Sequence, residues 1–206
     1  MKHPIVIAIT GASGVIYGRR LLEVMLDKGF EVQLSISESG QKVLQHELGV
    51  QIDIENFKLN DLLPGADDSK VAYHHYKNFM TPIASGSFRT SGMVVCPCSG
   101  STLSGIAAAA SGNLIQRAAD VHLKENRPLI LVPRETPLSL LQIRNLEAVA
   151  SAGATVLPAS PGFYHGYESV DHLVDFIVAR ILDHLDIEHD LITRWGSGPE
   201  SESGGA

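Results

Sequence analysis

The sequence predicts an α/β fold in which helices cover both faces of one doubly wound parallel sheet of about six strands. Two features support this fold. Short apolar runs rich in β-branched residues alternate with longer segments that carry apolar residues at helical spacing. No internal repeat or domain linker interrupts the alternation. We therefore expect one domain over residues 1–196 and a disordered tail over residues 197–206, where glycine, serine and glutamate predominate.

Composition narrows the classes of function. The formal net charge of −7 disfavours nucleic acid and anionic membranes as partners. The apolar opening is too short for a signal peptide, and no apolar run reaches the length of a membrane span. The only two cysteines, Cys96 and Cys98, are poorly placed for a disulfide and too few for a zinc site. We expect reduced thiols, no metal and a cytoplasmic location.

The first strand, loop and helix form the clearest local motif. A β-branched strand at residues 5–9 passes through a loop of small side chains into an amphipathic helix at residues 15–27. Gly11 and Gly14 allow a ligand to approach the backbone, and Ser13 adds a hydroxyl where free N–H groups point. Because a helix N-terminus binds anions, the motif predicts a phosphorylated ligand. Its glycine spacing matches neither the dinucleotide-binding motif nor the P-loop.

The remaining elements follow from the same patterns of apolar residues and turn residues. They are, in order, a strand at 30–37, a helix at 41–48, a brief helix within the polar loop 53–68, an edge strand at 71–76, a central strand at 93–98, helices at 103–110 and 114–125, a buried strand at 127–133, a helix at 138–152, a strand at 154–157 and a helix at 169–185. The helix at 103–110 ends in small residues, so we expect a neighbouring subunit to pack closely against it.

Polar side chains follow several predicted strands at the point where each strand ends. Ser37 follows the second strand, residues 99–102 (Ser-Gly-Ser-Thr) follow the central strand, and Arg134 and Glu135 follow the buried strand ending at residue 133. The carboxyl ends of parallel strands meet at one edge of a sheet, so these groups should converge. The hydroxyls of residues 99–102 are either helix caps or ligands of a phosphate or flavin. Ser37 replaces the acidic residue that binds ribose in dinucleotide folds, which disfavours a nicotinamide cofactor.

A second group of charged side chains lies on predicted helices. Arg117, Asp120 and Lys124 share one helix face, and Arg180 flanks the apolar face of the last helix. The face of Arg117, Asp120 and Lys124 is either an ordinary solvated charged surface or part of a site in which Arg117, Lys124, Arg134 and Arg180 supply the cations for a second anion.

Several motifs together indicate a family. They are Thr-Gly-Ala-Ser-Gly at 10–14 with Tyr-Gly at 17–18, Ala-Ser-Gly-Ser at 84–87, Cys-Pro-Cys-Ser at 96–99, Arg-Ala-Ala-Asp-Val at 117–121, Val-Pro-Arg-Glu-Thr-Pro at 132–137, Pro-Gly-Phe-Tyr-His at 161–165, Val-Ala-Arg at 178–180 and Arg-Trp-Gly at 194–196. With them the sequence resembles the UbiX-like flavin prenyltransferases over residues 4–196. These enzymes share a Rossmann-like flavoprotein fold with flavin-dependent cysteine decarboxylases.

The resemblance implies an activity and its partners. It implies metal-independent transfer of a dimethylallyl group from dimethylallyl monophosphate to N5 and C6 of reduced FMN. The product, prenylated FMN, would serve a UbiD-type decarboxylase in ubiquinone biosynthesis or aromatic acid decarboxylation. The resemblance also implies a homo-oligomer, a dodecamer, with sites at subunit interfaces.

The resemblance further assigns roles to individual residues. The flavin contacts it implies are Gly11, Ala12, Ser13, Ser37, Ser99, Gly100, Ser101, Thr102 and Arg134. The donor-phosphate pocket it implies consists of Ser85, Arg117, Lys124, Tyr164 and Arg180. The catalytic residues it implies are Glu135, Glu47, Ser13, Tyr164 and Lys124.

Three other functions are consistent with parts of the sequence. Short-chain dehydrogenases also begin Thr-Gly-Ala-Ser-Gly, and residues 73–77 match their Tyr-x-x-x-Lys pattern, although far too early in the chain. A flavin-dependent decarboxylase would share the fold, but Arg134, Glu135 and the loop of Tyr164 favour prenyl transfer. A non-enzymatic flavin carrier would have no use for the second cationic cluster.

Overall fold

The computed structural model describes residues 3–163 and 167–192. Within them, six parallel strands form one sheet: β1 (Ile5–Ile9), β2 (Val32–Ile36), β3 (Val71–Tyr73), β4 (Gly92–Cys98), β5 (Leu129–Pro133) and β6 (Thr155–Val156). The helices are α1 (Val15–Asp27), α2 (Glu38–Leu48), α3 (Leu59–Leu62), α4 (Gly100–Ala107), α5 (Leu114–Lys124), α6 (Leu140–Ser151) and α7 (Val170–His184). The predicted α/β fold is confirmed. The predicted tail lies outside the described residues.

The sheet has the strand order β3-β2-β1-β4-β5-β6. The chain winds outward from β1 to β3 and then returns to place β4 on the other side of β1, which is the doubly wound pattern. The change of direction falls between β1 and β4. In such folds ligands bind at the carboxyl ends of the strands beside this switch point. The topology therefore predicts a ligand site at the loops after β1 and β4.

The core has two halves, one on each face of the sheet. Because side chains alternate along a strand, Ile5, Ile7 and Ile9 of β1 pack under α1, α2 and α7, whereas Val6 and Ala8 pack under α4, α5 and α6. These strand residues are almost completely buried. Burial on both faces explains why the strands are continuous apolar runs.

Several helix boundaries differ from those predicted, and the caps explain why. Ser37 accepts a hydrogen bond from the Gly40 N–H, so α2 begins at Glu38 rather than at residue 41. Ser99 caps α4 in the same way, so this helix begins at Gly100 rather than at residue 103. It ends at Ala107 rather than at residue 110, since Ala109 has a positive φ.

No helix in the described ranges is long and apolar enough to cross a membrane.

Candidate active site

Thr10 ties the loops after β1 and β4 together. This fully buried side chain donates a hydrogen bond from Oγ1 to the Pro97 carbonyl at 2.7 Å and accepts one from the Ser99 N–H at 2.8 Å. The Thr10 N–H donates to the same carbonyl at 3.2 Å. One hydroxyl group therefore fixes the positions of the two loops at the switch point relative to each other.

The loop after β2 joins the same edge. The Ser37 N–H donates to the Ile9 carbonyl at 3.0 Å, which places the start of α2 beside the loop after β1. The two segments approach so closely that a Cβ at Gly11 would clash with Ser39. Gly14 adopts a φ of 95°, a conformation that favours glycine. The strand ends therefore converge as the sequence predicts.

The start of α4 has the donor set of a phosphate site. Ser99 Oγ lies 3.2 Å from Ser101 Oγ and 3.0 Å from Thr102 Oγ1, which gathers three hydroxyls on one turn. The N–H groups of Gly100 and Ser101 belong to the first turn, where a helix supplies no acceptor. Hydroxyls and free N–H groups at a helix N-terminus bind anionic oxygens, so these residues fit the phosphate of a nucleotide.

The start of α1 binds a carboxylate of the chain itself. Oε2 of Glu47 accepts hydrogen bonds from the N–H groups of Gly14 at 2.9 Å and Val15 at 3.2 Å. The anion at this helix N-terminus in this structure is therefore the chain's own carboxylate, and the phosphate position predicted at α1 stays a prediction. Glu47 is consequently placed beside the loop that contains Ser13.

Arg134 extends this edge to the end of β5. Its Nε donates to the Ser13 carbonyl at 3.3 Å, across the intervening strand β4. Neither of its Nη atoms is bonded to a described residue, so both can bind a ligand. The next residue, Glu135, is exposed, and its Oε2 accepts a hydrogen bond from Gln142 Nε2 at 3.4 Å.

Arg117 and Ser85 form a separate group alongside α5. Arg117 Nε donates to the Ala84 carbonyl at 3.1 Å, and its Nη1 pairs with Asp120 at 3.0 Å. Ser85 is exposed, and Lys124 lies two turns further along α5, about 10 Å from Arg117 along the helix axis. Lys124 is exposed and has no ion pair among the described residues.

Arg180 lies on the other side of the sheet. The buried residues of α7 belong to the half of the core under β1's isoleucines, whereas those of α5 belong to the opposite half. Arg180 is therefore separated from Arg117 by the sheet itself and cannot join it within one chain. Tyr164, the remaining residue of the predicted donor pocket, lies outside the described residues.

The two cysteines lie in the sheet and form no disulfide. Both are fully buried on β4, and burial raises the pKa of the Cys98 thiol to about 12. Burial likewise raises the pKa of Cys96. Within the described ranges, no cluster of three or more His, Cys, Asp or Glu side chains is arranged to hold a metal ion.

The dehydrogenase alternative lacks its required geometry. Tyr73 stacks on Phe57 and donates its hydroxyl to the Ile54 carbonyl at 3.0 Å. The phenol is therefore committed to the loop after α2, and burial raises its pKa.

Sequence reasoning missed Thr10, which joins two loops of the site, and a contact beyond α7 between His189 Nε2 and Asp183 Oδ1 at 3.1 Å. Thr10 appeared only as part of a motif, although a hydroxyl ending a fully apolar strand signals a buried hydrogen bond. Asp183 and His189 were not identified, because their contact with each other forms only after the chain reverses beyond α7.

Comparison with known proteins places the chain in a family. The profile of the Flavoprotein family matches residues 1–182. A flavin prenyltransferase UbiX from Halalkalibacterium halodurans is 47% identical over 197 residues, covering 96% of this chain and 95% of that protein. The solved structure of AnUbiX with FMN and dimethylallyl pyrophosphate has a TM-score of 0.85 and 35% identity, covering 97% of this chain and 100% of that one.

A second solved structure is similar to the same extent. The dodecameric FMN-dependent UbiX-like decarboxylase from Escherichia coli O157:H7 has a TM-score of 0.82 and 38% identity, covering 95% of this chain and 99% of that one. The resemblance predicted from the motifs is thereby confirmed: the chain belongs to the flavoprotein family and, within it, to the flavin prenyltransferases of the UbiX type.

Proposed function

We propose that this chain joins a dimethylallyl group from dimethylallyl monophosphate to N5 and C6 of reduced FMN, releasing phosphate without a metal ion. The observation that carries this proposal is the convergence of four strand-end loops around one edge of the sheet. These loops hold hydroxyls, helix N–H groups and a guanidinium, while further cations lie on the helices. Membership of the UbiX-type family supports the same reaction.

The strand-end loops bind FMN in this proposal. Ser37 and residues 99–102 bind its phosphate, because their hydroxyls and free N–H groups are donors at helix N-termini. Residues 11–13 and the free Nη atoms of Arg134 contact the rest of the molecule. When bound, reduced FMN supplies the N5 and C6 positions that accept the prenyl group.

The helix cations bind the donor phosphate. Arg117, Lys124 and Arg180, with the hydroxyls of Ser85 and Tyr164, stabilise negative charge as the C–O bond to phosphate breaks. The dimethylallyl group then carries an allylic cation, which aromatic side chains protect by excluding water.

The acidic residues handle protons in this proposal. Joining the prenyl group at both N5 and C6 would release one proton from each position, while the central alkene carbon would gain one proton and the departing phosphate the other. We assign the uptake of the C6 proton to Glu47, which two backbone N–H groups hold beside the Ser13 loop. Glu135, oriented by Gln142, exchanges a proton with the departing phosphate.

The donor pocket requires more than one subunit. Arg117 and Arg180 lie on opposite faces of the sheet, so one phosphate can meet both only where two chains associate. We propose a homo-oligomer, a dodecamer as in the E. coli relative. The exposed leucines of α6, Leu140 and Leu141, and the exposed residues 108–110 after α4 are surfaces that association would cover.

Mass spectrometry of the flavin tests the reaction. The protein is incubated anaerobically with reduced FMN and dimethylallyl monophosphate, with dimethylallyl pyrophosphate as a parallel arm. The extracted flavin should gain one C5H8 unit with the monophosphate. Unmodified flavin bound at full occupancy would overturn the proposal and favour a decarboxylase or a carrier. Arg134→Gln, which should weaken FMN binding, is the matched control for specific binding.

Mixed oligomers test the shared pocket. Arg117→Gln and Arg180→Gln should each remove most of the activity measured at subsaturating dimethylallyl monophosphate. Co-expression of the two variants with different tags should restore a fraction of it, because some interfaces then contain both arginines. If mixed oligomers form but activity is not restored, Arg117 and Arg180 do not contribute to the same pocket from different subunits.

The product's recipient and the location complete the proposal. A UbiD-type decarboxylase would take up the prenylated FMN, and both proteins would act in the cytoplasm. Transfer is tested by adding the reaction mixture to such an apo-decarboxylase and measuring decarboxylation.

A further inference from the structure

The chain reverses sharply after α7 and returns His189 to the end of that helix. Asp186 has a φ of 55°, and the Ile187 N–H donates to the Leu182 carbonyl at 3.0 Å. Ile187 and Leu191 then pack against the core. His189, between them in sequence, has a side chain that is 1% exposed. The reversal therefore fixes an imidazole beneath the last turn of α7.

Asp183 connects this imidazole to Arg180. His189 Nε2 lies 3.1 Å from Oδ1 of Asp183, and Arg180 Nη1 donates to Oδ2 of the same carboxylate at 2.7 Å. Exposure falls along the chain of contacts, from 47% for the Arg180 side chain to 18% for that of Asp183 and 1% for that of His189. An exposed guanidinium is thus linked through one carboxylate to a buried ring.

An isolated Arg–Asp pair one turn apart on a helix surface is weakly held, because both side chains keep several rotamers. The contact with the buried His189 ring restricts the Asp183 carboxylate to one rotamer. The Arg180 guanidinium, which donates a hydrogen bond to this carboxylate, is thereby restricted to one orientation. Arg180 has no bond from Nε or Nη2 to a described residue, so these donors remain available for a phosphate. Orientation before binding reduces the entropy lost when the phosphate arrives.

We propose that His189 is a positioning residue which, through Asp183, holds the Arg180 guanidinium in the orientation that binds the phosphate of the prenyl donor. This inference rests on the proposed function, in which Arg180 is a ligand of that phosphate.

Two substitutions at His189 separate positioning from packing. His189→Leu keeps an apolar side chain of similar bulk but removes the hydrogen bond to Asp183. It should raise the KM for dimethylallyl monophosphate about tenfold, with kcat within about twofold of wild type and FMN affinity unchanged. His189→Gln retains an N–H donor and should restore the KM to within about threefold of wild type. An unchanged KM in folded His189→Leu would overturn the proposal.

A double-mutant cycle provides the decisive comparison. In an Arg180→Gln background, His189→Leu should cause no further rise in KM, because nothing is left to position. Equal effects in both backgrounds would show a purely structural role. If His189→Leu does not fold, Asp183→Asn is measured in the same cycle and must show the same coupling with Arg180.

The experiments distinguish failure of the proposed function from failure of the role proposed for His189. If the wild-type protein forms no prenylated flavin, the reaction itself is wrong. If it does so but Arg180→Gln leaves the KM unchanged, only the assignment of Arg180 falls, and the role of His189 with it.

Discussion

Replacing Thr10 by valine tests whether one buried hydroxyl holds the candidate site together. Valine has nearly the shape of threonine but lacks Oγ1. The Ser99 N–H would lose its partner at 2.8 Å, and the Pro97 carbonyl would keep only its 3.2 Å bond from the Thr10 N–H. Because Thr10 is fully buried, water cannot replace the lost partner.

The expected loss follows from these contacts. A buried N–H without an acceptor costs about 1–3 kcal/mol, and the weakened carbonyl adds a smaller amount. We expect Thr10→Val to lower the free energy of unfolding by about 2–3 kcal/mol. Thr10→Ser, the matched control, keeps the hydroxyl and loses one buried methyl group, at a cost of about 1 kcal/mol.

Urea unfolding followed by circular dichroism measures both variants, at one fixed protein concentration because association shifts apparent stability. The FMN dissociation constant, from quenching of flavin fluorescence, reports on the site. Thr10→Val should weaken FMN binding more than Thr10→Ser, since the loop at residues 99–102 loses its anchor. Equal stability and equal FMN affinity in the two variants would refute this reasoning.

Three further predictions concern close packing, thiol reactivity and pH. Gly18→Ala should lower the free energy of unfolding in urea by about 3 kcal/mol, because a Cβ there would overlap the Cys96 carbonyl oxygen. Gly100→Ala is the control: its Cβ has no neighbour closer than 3.5 Å, so its free energy of unfolding should fall much less. Equal decreases in the two variants would contradict the prediction. Cys98, whose pKa burial raises to about 12, should resist iodoacetamide at pH 8 until the protein is unfolded, and a mass shift on the native protein would show otherwise. Burial lowers the pKa of His122, so as pH falls below 6.5, the ordinary pKa of histidine, the unfolded chain takes up a proton before the folded protein does. The free energy of unfolding should therefore fall more steeply from pH 7 to pH 5 in wild type than in His122→Gln. Identical slopes would refute the role of His122 in this pH dependence.

Local signals in the sequence located the elements of the fold well. The predicted first helix, residues 15–27, coincides with α1, because its apolar spacing and the preceding glycines leave one solution. Predicted helix starts were less accurate where a serine caps the helix. Ser99 was interpreted as either a cap or a ligand, and Ser37 only as a ligand contact; the structure shows both acting as caps.

The sequence by itself determined the alternation of strands and helices, the polar groups at the strand ends and the family, because each depends on residues that are close together in the chain. Only the tertiary structure decided which of these groups meet. Glu47 reaches the start of α1 over 33 residues to bond to Gly14, and so occupies the helix N-terminus predicted for a phosphate. Arg117 and Arg180, alike as exposed cations on helices, are separated because α5 and α7 pack on opposite faces of the sheet. Which face a helix covers depends on the winding of the whole chain, and no local pattern of residues encodes it.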